Sequence, residues 1–184
     1  MSEPGSESVQ WYYSDPSAII PLNSWKIPRS LKLFMKQKDW RITSDRDFSG
    51  VIRSCSRRRN TWISDIIIRS YINLHHEGYA HSVEVWEGEI LIGGLYGVHL
   101  GSAFFGESMF HRKTNASKVA LTALMQSLTA AGFTLLDIQM MTPVMEQFGA
   151  QSIPRGRYLQ KLRKALETEC TFPGIDNLTE KLVH

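Results

Sequence analysis

Glu107, Asp137 and Gln139 are the residues of this 184-residue chain whose types and placing suggest chemistry first. Glu107 interrupts the apolar run FFGESMF at 104–110, and Asp137 and Gln139 stand two apart in LLDIQM at 135–140. Strand residues two apart share a face, so the last pair points one way. A carboxylate or an amide beside Leu135, Leu136, Ile138 and Met140 is costly unless it has a partner. Three such groups converging across neighbouring strands would make a site, and hydrogen bonding to a loop would account for the pair equally well. The strand pattern breaks at Glu107-Ser108-Met109, and the donor-rich stretch His111-Arg112-Lys113-Thr114-Asn115 leads into a helix. That junction suits an acylated or phosphorylated ligand. His75, His76, Glu77 and His81 look like metal ligands by type, but no zinc motif has their spacing and a helix end falls among them.

Charge adds a second signal. Between Lys26 and Arg59 stand eleven Lys/Arg against three Asp, a local balance of +8 in a chain whose net charge is +3. Lys26, Arg29, Lys32, Lys36 and Lys38 lead this block and Arg57-Arg58-Arg59 close it. A solvated face and a phosphate-rich partner both fit such a run, and charge alone does not separate RNA from DNA or from lipid headgroups.

The elements that must position these residues follow from periodicity. SDPSAIIPL is extended, Pro28-Arg29-Ser30 opens a short basic helix, and RDFSGVIRSCSR and SDIIIRSYINLHHEG have helical spacing. In the last of these, Ser64 is the expected cap, Ile67, Tyr71 and Leu74 share a face, and Gly78 is the stop. The period then changes to two. HSVEVW, EILIGGLYGVHL and SAFFGESMF read as an antiparallel meander. NASKVALTALMQSLTAAG is a helix stopped by Gly132, FTLLDIQM a buried strand, PVMEQFGAQ a short helix ending at Gly149, and YLQKLRKALE a polar-faced helix. This order predicts an α+β fold with a mostly antiparallel sheet flanked by helices.

At this length, 42% hydrophobic and 21% charged, the chain reads as one ordinary globular domain over 11–166, with a disordered lead at 1–10 and a C-terminal tail at 167–184. It has no run of eighteen apolar residues and its polar start is unlike a signal peptide. Cys55 and Cys170 lack metal or redox spacing, so a reducing cytoplasm is the expected location.

Particular motifs carry a resemblance. TWIS at 61–64, LHHEGYAHSVEVWEGEILIGGLYGV at 74–98, FFGESMFHRKTNASKVAL at 104–121, LLDIQ at 135–139 and FGAQSIPRGRYLQKL at 148–162 resemble the leucyl/phenylalanyl-tRNA–protein transferases. The likeness runs from residue 11 to about 165. It implies a GNAT-like catalytic domain that moves leucine or phenylalanine from aminoacyl-tRNA to the α-amine of proteins starting with Arg or Lys, tagging them for N-end-rule degradation. It implies that Leu95, Phe104 and Leu124 line the side-chain pocket, Glu107 sits near the donor's amino group, and Trp62 lies beside the terminal nucleotide. Asp137 and Gln139 would orient and polarise the attacking amine, and Arg29, Lys32 and Lys36 would contact tRNA.

An aminoacyl ester is already activated, so this chemistry calls for no ATP, metal or other cofactor. It needs deprotonation of the amine and a donor for the charged ester oxygen. The chain departs from the family pattern at Ser17, Leu33 and Gln37, where arginine is expected, at Leu124, where phenylalanine is expected, and in the short region before WYYSDPSAI. Two other readings remain. One is an acetyl-CoA-dependent N-acetyltransferase, against which the glycine-free HRKTNASK weighs; the other is a non-catalytic RNA-binding relic.

Overall fold

The computed structural model describes residues 14–57 and 61–176. The lead at 1–10, Arg58, Arg59 and the end of the expected tail lie outside the described residues. The chain is organised as β1 (Ser17–Ile20), α1 (Arg29–Met35), β2 (Arg41–Ser44), α2 (Phe48–Ser56), α3 (Asp65–His76), β3 (Ala80–Glu87) and β4 (Ile90–Leu100). There follow β5 (Ala103–His111), α4 (Ala116–Ala130), β6 (Leu135–Gln139), α5 (Pro143–Gln147), β7 (Gln151–Ile153) and α6 (Arg155–Leu166). The strands form one sheet in the order β2-β3-β4-β5-β6-β1-β7, antiparallel at every pairing but β5–β6. The fold is α+β, with a mixed, mostly antiparallel sheet flanked by helices.

Local chemistry starts and stops these helices. The Ser64 hydroxyl accepts the Ile67 N–H at 3.4 Å to open α3, and the Asp47 carboxylate accepts the Gly50 N–H at 2.8 Å to open α2. Gly78 and Gly132, at φ +82° and +79°, turn the chain away after α3 and α4. Asn115 precedes α4 with φ 69°, a left-handed position that asparagine tolerates. It caps by backbone geometry, since its side chain makes no capping bond.

Alternation divides the core between the two faces. One face carries α4 and α1 over Ile20, Ile42, Val83, Val85, Ile92, Leu95, Phe104 and Leu136. The opposite face carries α2 and α3 over Trp86, Leu91, Tyr96 and Phe110, and α6 over Ile19, Ala103 and Leu135. α4 lies very close to β4. A Cβ on Gly93 would come within 2.5 Å of Ala116 Cβ and 2.9 Å of the Ala116 carbonyl carbon, so only glycine fits there.

Two edge strands, β2 and β7, are not foreshadowed by periodicity, because four and three residues are too few to show it. The third strand of the meander does not break at Glu107-Ser108-Met109 but runs to His111. The break in its apolar pattern is a bulge: Tyr96 pairs with Ser108 and Gly97 with Gly106, leaving Glu107 as the extra residue. Of the expected tail, residues 167–176 return to the domain. Phe172 and Ile175 are buried in the main core, and Ile175 exchanges hydrogen bonds with Ser44.

Candidate active site

The bulge determines where Glu107 goes. It sets the carboxylate on the α2–α3 face at the point where β5 and β6 cease to pair, since their parallel ladder spans only Ala103–Phe105 against Leu135–Asp137. Across that gap Gln139 Nε2 donates to Glu107 Oε2 at 3.1 Å, and the Tyr71 hydroxyl of α3 also bonds Glu107. Burial pushes the Glu107 carboxyl above its ordinary range, the bonds from Gln139 and Tyr71 oppose this, and nearby Asp137 adds to it.

Asp137 is buried and both its oxygens are occupied. Oδ1 accepts the backbone N–H of Gln139 at 2.7 Å, and Oδ2 accepts the Tyr158 hydroxyl of α6 at 2.5 Å. Burial and the Asp137 carboxylate both raise the Tyr158 phenol, which keeps it a donor across the working pH range. Gln139 has φ 62°, and the Met140 N–H bonds the Ile138 carbonyl at 2.7 Å across it, a tight γ-turn that L-residues adopt only under strain. Asp137 is the clamp on that turn. A continuous chain thus runs from Tyr158 through Asp137 and Gln139 to Glu107 and Tyr71, tying α6, β6, β5 and α3 together.

This arrangement holds an amide and a carboxylate side by side at the mouth of a strand gap, with a second carboxylate fixed behind them. It can bind an amine, orient it and receive its positive charge. Asp137 accepts one donor on each oxygen, the Gln139 N–H and the Tyr158 hydroxyl, and these fix the orientation of its carboxylate.

Residues 19–163 match the family model for leucyl/phenylalanyl-tRNA protein transferase. The chain belongs to this family. It is 48% identical over 167 residues to the leucyl/phenylalanyl-tRNA–protein transferase of Salinibacter ruber, covering 91% of this chain and 74% of that protein. The enzyme of the same name from Cereibacter sphaeroides strain ATCC 17025 is 48% identical over 168 residues, covering 90% and 78%. That of Rubrobacter xylanophilus is 44% identical over 173 residues, covering 94% and 90%.

Within this family frame the other expected residues fall into separate places. Leu95, Phe104 and Leu124 belong to one buried cluster, on the α4 face and so across the sheet from Glu107. Trp62 is half-buried against the α2–α3 cluster, as is Tyr71. Arg29, Lys32 and Lys36, at i, i+3 and i+7, form one stripe of α1 and its cap, while Leu31 and Met35 turn inward. Among the described residues none of these three cations is ion-paired. Other parts of the basic block are engaged internally: Arg41 and Arg46 pair with Glu89 and lie over the Trp86 ring.

The donor-rich stretch after β5 is also partly engaged. Arg112 reaches the Leu91 carbonyl and Ser54, and Lys113 pairs with Glu87. The histidines do not converge as ligands. His75 Nδ1 meets the Ala80 carbonyl at 2.8 Å, and His81 lies between Asp45 at 2.7 Å and His99 at 2.9 Å while stacking on Phe172. Sequence reasoning did not single out Tyr71 or Tyr158 as site residues. The available signal was a tyrosine on the apolar face of α3, whose hydroxyl must find a partner once buried.

Proposed function

We propose that this chain transfers leucine or phenylalanine from aminoacyl-tRNA to the N-terminal α-amine of a protein beginning with Arg or Lys, marking it for N-end-rule degradation. The observation that carries the reading is the Glu107–Gln139 bridge across the gap between β5 and β6, held by Asp137 and Tyr158. It supplies acceptors for an amine where an ester can lie alongside.

The acceptor nitrogen attacks the ester carbonyl carbon of the donor. The C–N bond forms, the C–O bond to the terminal ribose breaks, and the proton lost by nitrogen ends on the departing ribose oxygen. Gln139 receives a hydrogen bond from the attacking amine through its carbonyl oxygen, and Asp137 keeps that amide in place through the γ-turn. Glu107 meets the donor's own α-amino group. Its raised proton affinity is relieved when that ammonium arrives, so donor binding and ionisation of Glu107 reinforce one another.

Leu95, Phe104 and Leu124 receive the donor side chain, which enters between the parted strands to reach the α4 face. An apolar pocket separates substrates by methylene groups, worth about 1–3 kcal/mol each, and so admits both leucine and phenylalanine. Trp62 lies beside the terminal nucleotide, and the Arg29–Lys32–Lys36 stripe holds tRNA phosphates. The test is transfer of labelled leucine from leucyl-tRNA to peptides that start with Arg or with an uncharged residue, with labelling of the Arg peptide expected.

A further inference from the structure

α6 has a second charged surface outside the basic block at 26–59. Tyr158, Leu162 and Ala165 turn toward the sheet, and Arg157, Lys161 and Lys164 run beside them at i, i+4 and i+7. Arg155 and Arg163 bring the helix to five cations, all exposed, with no Asp or Glu between Arg155 and Leu166. Among the described residues Arg157, Lys161, Arg163 and Lys164 form no ion pair. Elsewhere the chain is acidic: apart from α6 and residues 26–59, the other 138 residues hold five Lys/Arg against fifteen Asp/Glu. Like charges at i, i+4 repel, so this helix concentrates cations at a cost that a bound anion would offset.

We propose that the Arg157–Lys161–Lys164 stripe is a tRNA interface that holds the phosphates nearest the aminoacylated 3′ end; this rests on the proposed transferase function. Three observations support RNA as the occupant and fix the part of it. The stripe starts one residue from Tyr158, whose hydroxyl bonds Asp137, so it adjoins the site. At 1.5 Å per residue it is about 10 Å long, a length over which one strand presents about three phosphates at roughly 3.4 Å of axis each. It lies on the face of Glu107 and Asp137, whereas α1 packs against α4 on the other face. The α1 stripe therefore reaches a different part of the same RNA.

The experiment compares the full chain with the triple variant Arg157→Gln, Lys161→Gln, Lys164→Gln. Leucyl-tRNA binding is measured over a salt series, and transfer is measured from leucyl-tRNA and from 3′-leucyl-adenosine, which has no phosphate. The triple variant is expected to bind leucyl-tRNA at least tenfold more weakly. Its salt slope should be shallower by about two, from about 0.7 per single-strand phosphate contact, with transfer from leucyl-adenosine unchanged. An unchanged slope, in a wild type that transfers leucine, overturns the interface and leaves the function standing. Equal loss of transfer from both donors with a lowered Tm overturns it too, by making the stripe structural. Loss of binding to phosphatidylserine vesicles with tRNA binding intact assigns the helix to a lipid surface instead. A wild type that neither binds leucyl-tRNA nor transfers leucine refutes the function beneath it.

Discussion

Tyr158→Phe removes one oxygen atom and keeps the ring that packs in the Ile19–Ala103–Leu135 cluster. The atom removed is the donor 2.5 Å from Asp137 Oδ2, in a place where Asp137 is 8% exposed and water cannot freely replace it. Hydrogen bonds to charged groups are worth about 1.5–3 kcal/mol. If that loss is felt where Asp137 holds the γ-turn of Gln139 at the transition state, each 1.36 kcal/mol is tenfold in rate, and kcat falls about 10- to 100-fold. If it is felt only as ground-state stability, the same energy lowers Tm by roughly 3–12 °C, at about 2–4 °C per kcal/mol for a chain of this size. The two outcomes are separable by single-turnover leucine transfer beside a melting curve. We expect kcat to fall by that factor, KM for leucyl-tRNA to stay within about twofold by the logic of uniform and differential binding, and Tm to drop by a few degrees at most. Wild-type kcat with a fully lowered Tm would refute the positioning role.

Three further outcomes follow from the same geometry. Gln139→Gly should hold or raise Tm, because the left-handed position costs an L-residue about 1–2 kcal/mol, while transfer drops about tenfold with loss of the Glu107 partner; unchanged transfer contradicts this. Leu124→Phe should shift the ratio of leucine to phenylalanine transfer about tenfold and cost about 1–3 kcal/mol of stability by overpacking a site that is 1% exposed. An unchanged ratio would place Leu124 outside the donor pocket. Glu84 is fully buried beneath bonds from Ser82 and Thr43, and burial raises its carboxyl above the ordinary 4.5. The folded state therefore holds that proton more tightly than the unfolded chain. The stability it contributes is complete below about pH 4.5 and is lost as pH rises through the folded value. Glu84→Gln removes this titration, so its Tm relative to wild type should climb over that window, and a flat difference would count against the assignment.

What could be read in advance depended on length and period. The β3–β5 meander, α3 and α4 each carry enough residues to display their period, and Ser64, Gly78 and Gly132 punctuate them as capping chemistry requires. β2 and β7 are short edge strands and leave no pattern. Glu107, Asp137 and Gln139 were legible because polar groups in apolar strands demand partners. Their partners were not, because Tyr71 and Tyr158 come from helices whose docking depends on tertiary packing. Nor did alternation in LLDIQM disclose that Gln139 ends the strand in a γ-turn, or that Asp137 spends one oxygen on that turn and the other on Tyr158. Glu84, one residue of an alternating strand, reads as outward and polar. It is buried because α2 covers that face of β3.

Single-turnover transfer of labelled leucine from leucyl-tRNA to an Arg-starting peptide, by wild type and by Asp137→Ala, decides whether the Asp137 clamp acts in the reaction. Each protein is checked for tRNA binding and for its melting curve. We expect transfer by the wild type and a loss of about 10²-fold or more in the variant, at unchanged tRNA binding, because orientation of the amine is needed only at the transition state. Normal transfer by Asp137→Ala would contradict it.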